Sequence, residues 1–169
     1  MAPFATQIDD WRDFFTLTGT AAATIIGLLF VSISLRSDIR KAAETSLVRT
    51  MVSHNFLMLL VVLLISLYFM VPGIDHDSLG FSVILTAGIP GVFFAMDLWR
   101  LRHDGSMQKM ILLWSFIVPI LSFALTVAIG VAFLFNDDTE LSWFVTVMAL
   151  FLVIPTKNSW ELLLQSHET

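Results

Sequence analysis

MVSHNFLMLLVVLLISLYFMVP, residues 51–72, decides what kind of protein this is. After His54 and Asn55 the stretch holds no charged residue, and it ends at a proline. A helix rising ~1.5 Å per residue needs roughly 20 apolar residues to cross the ~30 Å hydrocarbon core of a bilayer, and this run is long enough. The whole chain has the same character: 57% of its 169 residues are hydrophobic, only 14% are charged, and the mean hydropathy is +0.84. A water-soluble domain of this size has too little interior to hide so much apolar surface. The composition predicts a protein that resides in a lipid bilayer.

Four further stretches have comparable length and hydropathy, giving five predicted spans at about 14–35, 51–72, 79–99, 110–135 and 141–163. The last is interrupted near its end by Lys157, Asn158 and Glu161, so a four-span alternative leaves that run partly embedded. The fold class expected is all-α: a polytopic transmembrane helical bundle forming one membrane domain over residues 1–169. The first run follows Asp9, Asp10, Arg12 and Asp13 rather than a cationic start, and it is longer than a signal-peptide core. It reads as a retained helix.

Orientation follows from lysine and arginine, which concentrate in cytoplasmic connections. Arg36, Arg40, Lys41 and Arg49 fall in the first connection and Arg100, Arg102 and Lys109 in the third, whereas the second and fourth contain neither residue type. The N-terminus is therefore expected outside and the C-terminus in the cytoplasm, leaving Arg12 as the one exception among nine basic residues. The tryptophans agree. Trp11 and Trp143 fall at the outer boundary and Trp99, Trp114 and Trp160 at the inner one, where indole rings settle because they are apolar with one N–H that seeks water.

Two flanking segments, about 4–13 and 37–50, have amphipathic helical spacing. In the first, Phe4, Ile8, Trp11 and Phe15 share a face, Thr6 and Asp9 fit a capping box, and the segment either lies on the outer surface or lengthens the first span. In the second, Arg40 and Glu44 form an i,i+4 pair.

Within the first span Gly19, Ala23 and Gly27 recur every four residues, next to a stripe of Thr16, Thr20 and Thr24. Small residues let helix backbones approach closely in lipid, so this face predicts helix packing, within the chain or between copies. The pattern W-x-x-F-F-x-x-x-G-x-A-A-A-x-x-x-G-L-L-F-V-x-I-S-L, Trp11 to Leu35, resembles the opening of a group of small bacterial integral membrane proteins. The closing NSWELLL, Asn158 to Leu164, is similar to the ending of that group. The resemblance implies a multi-pass protein of the bacterial inner membrane. It carries no activity.

Ionisable groups inside a membrane are costly and mark candidate sites. His54 lies about 27 Å along a straight helix from Pro72, Asp97 about 27 Å from Leu79, and Lys157 about 24 Å from Leu141. Three spans thus bring an imidazole, a carboxylate and an ammonium to one inner-leaflet plane, with Asn55, Arg100, Asn158 and Glu161 within a turn of it. This inner polar layer either works, with Asp97 paired to Lys157 or Arg100 and His54 changing charge near neutral pH, or is the boundary where helices reach the headgroups. Farther out, Ile89-Pro90-Gly91 and Pro119 interrupt two spans, and carbonyls freed at such breaks can line an ion site. The outer connections are acidic: Asp75, Asp77, Asp137, Asp138 and Glu140 join the N-terminal aspartates. Such residues either concentrate cations or merely reflect the exclusion of lysine and arginine from that side.

With no cysteine, disulfides, thiolate metal sites and Cys nucleophiles are excluded. No catalytic motif is present, and His54, His76, His103 and His167 are too dispersed to share a metal. No enzymatic activity, cofactor or nucleic-acid partner is expected. The expected partners are the lipid bilayer, further copies of the chain, and a larger membrane protein. A homo-oligomeric channel or pore-type subunit is the first reading, and an accessory or regulatory subunit of a larger membrane complex the second.

Overall fold

Between Ser46 and Phe69 the chain contains neither glycine nor proline, and it forms one unbroken helix. That helix ends where Pro72, which lacks an N–H, can no longer extend the ladder. The amides of Met70 and Val71 close the last turn by donating to the carbonyls of Leu67 and Tyr68, both at 3.1 Å. Gly73 then reverses the chain with φ 70°, a left-handed conformation that a side chain disfavours. Asp75 starts the next helix: its carboxylate accepts the Ser78 amide at 3.1 Å, and its carbonyl accepts the Leu79 amide at 3.0 Å. This is an N-cap.

The computed structural model describes residues 4–35, 46–103, 116–135 and 141–165. Those residues form five helices: α1 Phe4–Leu35, α2 Ser46–Phe69, α3 His76–His103, α4 Val118–Leu134 and α5 Trp143–Gln165. No strand occurs among them. Three helices, α1, α2 and α3, are long and apolar enough to cross a membrane, while the described apolar parts of α4 and α5 are shorter. α1 is continuous, so residues 4–13 lengthen the first span; Thr6 lies inside the helix and does not cap it. Arg36 and the part of the second amphipathic segment before Ser46, with Arg40, Lys41 and Glu44, lie outside the described residues, as do Lys109 and Trp114.

α2 is the central element, in contact with α1, α3 and α5; α4 lies against α3 and α5. The most extensive contact is between α3 and α4, and glycine makes it close. A Cβ built on Gly80 would lie 2.7 Å from the Gly130 carbonyl oxygen, and one on Gly130 3.1 Å from that of Gly80. The two backbones touch there, so dispersion acts over a long contact. Gly91 continues this seam against Phe123.

The distribution of polarity is that of a protein in lipid. Leu17, Leu28, Phe30, Phe81, Ile89 and Val92 are all exposed, whereas hydroxyls deep in the helices are bonded within the protein. Thr16, Thr20, Thr24, Ser122 and Thr126 donate to the carbonyl one turn earlier. Thr18 and Ser66 meet at 3.2 Å across α1 and α2, and Tyr68 meets Thr86 at 3.0 Å across α2 and α3. No water is needed to satisfy these groups.

Aromatic rings fill the bundle toward both ends. Near the α2–α3 turn, Phe15 stacks on Phe69 at 3.8 Å, and Phe144 meets both rings edge-on. Toward the other end Phe123 bridges Phe94 and Phe151. All five helices have a ring in or beside this filling.

Candidate functional site

Successive residues of a helix point ~100° apart, so the neighbours His54 and Asn55 serve different interfaces. His54 turns toward α3. Its Nε2 lies 3.0 Å from Asp97 Oδ2, its ring stacks on Phe94 at 3.7 Å, and the edge of Phe116 approaches it at 5.4 Å. Phe94 and Asp97 are three residues apart, hence on one face of α3: the first supports the ring and the second holds its nitrogen. Asn55 turns toward α5, where its Oδ1 accepts from Asn158 Nδ2 at 3.1 Å. Each polar group is thereby held across a helix interface, as burial in an apolar bundle requires.

Arg100, one turn beyond Asp97, places Nη1 3.8 Å from Asp97 Oδ1. Exposure rises in steps along the cluster, from 6% for the His54 side chain to 31% for Asp97 and 67% for Arg100. The cluster therefore opens sideways at the surface of the bundle, between α2 and α3, rather than into its centre. The opening is a groove of about 380 Å³, with His54 and Asp97 at its base and Arg49, Ser53, Leu57 and Phe93 along its walls. Ser53 and Leu57 also border a second, apolar cavity of about 390 Å³ between α1 and α2, walled by Leu29, Phe30 and Phe56.

The structure thus joins four of the residues expected in the inner polar layer as two pairs, His54 with Asp97 and Asn55 with Asn158, and sets Arg100 beside Asp97. Of the two partners considered for Asp97, Arg100 is near; Lys157 is exposed on α5. Glu161 belongs to α5, but its side chain lies outside the described residues. The aromatic seat of His54, and Arg49 and Ser53 as walls of the groove, were not anticipated. Phe94, three residues before Asp97, was the one available signal.

The remaining candidates separate. Gly19 is buried against Ser66, where an added Cβ would lie 2.9 Å from that of Ser66; it serves packing within the chain. Ala23 is exposed, and Gly27 has open space around it, so the small-residue face is divided between an inner contact and the surface. Pro90 does not interrupt α3, which is continuous from His76 to His103. The described residues of α3 therefore form no broken-helix ion site there. Pro119 is the second residue of α4 and follows a π-helical pair, Phe116 and Ile117, that leads into it.

Asp75 and Asp77 occupy the start of α3, where capping and the helix dipole favour negative charge. The Ser78 amide holds the Asp75 carboxyl below its ordinary value. Asp137, Asp138 and Glu140 lie outside the described residues. Among the described residues no group of three or more His, Asp or Glu is assembled to hold a metal ion.

Set against protein-family models, curated proteins and solved structures, the chain finds no match in any of the three. The resemblance of Trp11–Leu35 to small bacterial membrane proteins gains no support from these comparisons, and the site is read from its own chemistry.

Proposed function

We propose that the chain is a multi-pass protein of the bacterial inner membrane that associates with copies of itself and passes or gates ions. In this reading all five helices cross the bilayer, the end with Arg49 and Arg100 faces the cytoplasm, and the protein carries out no catalysis.

The observation that carries the proposal is the sideways opening of the His54–Asp97 pair in a bundle whose own centre is filled with phenylalanine. These rings fill space between the described helices, and in this reading the path lies between bundles. There the exposed Thr16, Thr20, Thr24, Ala23 and Gly27 offer small and hydroxyl-bearing surface on α1. Protonation of His54 converts its contact with Asp97 from a hydrogen bond into an ion pair and changes the charge at the inner mouth. Among the described residues Phe94, Phe116 and Arg100 also surround the pair, and Arg49, Thr50 and Ser53 line the same groove.

Purified protein reconstituted into liposomes tests the proposal. Cation or proton flux that varies between about pH 5 and 8, and loses that variation in His54→Leu, is the expected result. Absence of flux across pH and voltage overturns it. The exposed Arg49, Trp99 and Arg100 at one end favour a second reading, an accessory subunit docked on a larger membrane protein. Recovery of a stoichiometric partner after mild-detergent purification selects that reading; a clean homo-oligomer selects the first.

A further inference from the structure

We propose that the groove between α2 and α3 seats one phospholipid, of the class whose headgroup carries both a phosphate and a primary ammonium. The inference rests on the bundle lying in a membrane and not on ion passage.

The groove holds charges of both signs on one wall system. Arg49 is exposed at its rim and makes no ion pair among the described residues. Asp97 lies at its base, with Oδ2 taken by His54 at 3.0 Å. Among the described residues Oδ1 meets Arg100 at 3.8 Å, beyond the ~2.7–3.2 Å of an N–H···O hydrogen bond, so it retains acceptor capacity. Ser53, on the wall, forms no hydrogen bond among the described residues and has a hydroxyl to donate.

A headgroup that satisfies all three needs an anion for Arg49 and Ser53 and a hydrogen-bonding cation for Asp97. Phosphate joined to a primary ammonium has this composition. A quaternary ammonium has no N–H to give Asp97. A glycerol headgroup supplies no cation and leaves the phosphate facing the carboxylate. Below the headgroup, Leu57 and Phe93 offer an apolar wall in one cavity, and Leu29, Phe30 and Phe56 offer another in the cavity that shares Ser53 and Leu57. One acyl chain enters each.

Native mass spectrometry of the full-length protein tests this. The protein is released from mixed micelles containing ethanolamine, choline or glycerol phospholipids with matched acyl chains, or free phosphoethanolamine. The ethanolamine lipid is expected to be retained about tenfold over the choline lipid, a difference of about 1.4 kcal/mol. Free phosphoethanolamine is expected not to displace it at equal concentration. Arg49→Gln, a change at an exposed position, should weaken retention of both lipids with helical content unchanged. Asp97→Asn should remove the ethanolamine preference. Equal retention of all three lipids, preference for the glycerol headgroup, or displacement by free phosphoethanolamine each overturns the assignment. A protein that shows no flux but keeps the ethanolamine preference fails as a pore and stands as a lipid-binding protein.

Discussion

His54 Nε2 and Asp97 Oδ2 lie 3.0 Å apart across the α2–α3 interface, although 43 positions separate them in the chain. The imidazole is almost wholly enclosed and the carboxylate only partly so. That asymmetry determines how the pair responds to substitution.

Asp97→Leu leaves the enclosed His54 Nε2 without its acceptor and is expected to destabilise the protein by about 1–3 kcal/mol. His54→Leu leaves a carboxylate that still reaches the surface and Arg100, so its effect should be smaller. Replacing both residues by leucine should recover part of the Asp97→Leu loss. Thermal unfolding in detergent reads the series, and equal losses in the two single variants contradict the asymmetry.

The stacked rings near the α2–α3 turn should dominate stability. Phe69 is 1% exposed and contacts Phe15, Phe133 and Phe144. Phe69→Ala is expected to remove about 3–5 kcal/mol. Leu67, two residues earlier on the same helix, is 50% exposed, and Leu67→Ala should change the melting temperature little.

Enclosed and exposed glycines should behave oppositely. Gly80→Val places atoms against the Gly130 carbonyl, with no flexible side chain to yield, and should separate α3 from α4 at a loss of about 1–3 kcal/mol or more. Gly19→Leu should loosen α1 from α2 within each copy. Gly27→Leu meets open space, so monomer stability should hold. If α1 mediates association, its particle size in detergent, measured by light scattering, should fall; an unchanged oligomer removes α1 as the interface.

The Asp75 cap gives a pH dependence of known sign. Its carboxyl is held low by the Ser78 amide in the folded protein, so its contribution is fully present above the ordinary carboxylate pKa near ~4. It is lost as pH falls through the lowered folded value. Asp75→Ala should therefore be less stable than the parent protein at neutral pH, with the difference narrowing in acid. A difference that grows on acidification contradicts the capping role.

Helix and membrane character were legible in the residues because they depend on local properties: run length, hydropathy, and the proline and glycine after Phe69. The alignment of His54 with Asp97 in depth was legible too, since rise per residue converts sequence position into height. Rotation about each helix axis was not. Gly19, Ala23 and Gly27 share a spacing, but only the packing of α1 on α2 decides that Gly19 is enclosed by Ser66 while Ala23 and Gly27 remain outside. Gly80 and Gly130 showed no such spacing, yet they bring the backbones of α3 and α4 into contact.

By itself, then, the sequence determined that the chain is a set of apolar helices with its charged groups held to the ends, because burial in lipid forbids most alternatives. Tertiary structure decided which polar groups meet, and that the His54–Asp97 pair opens to the side of the bundle. The reason is geometric. Helices of near-uniform hydropathy carry little record of which face turns inward, and that choice is made by the fit of rings, glycines and hydrogen bonds between them.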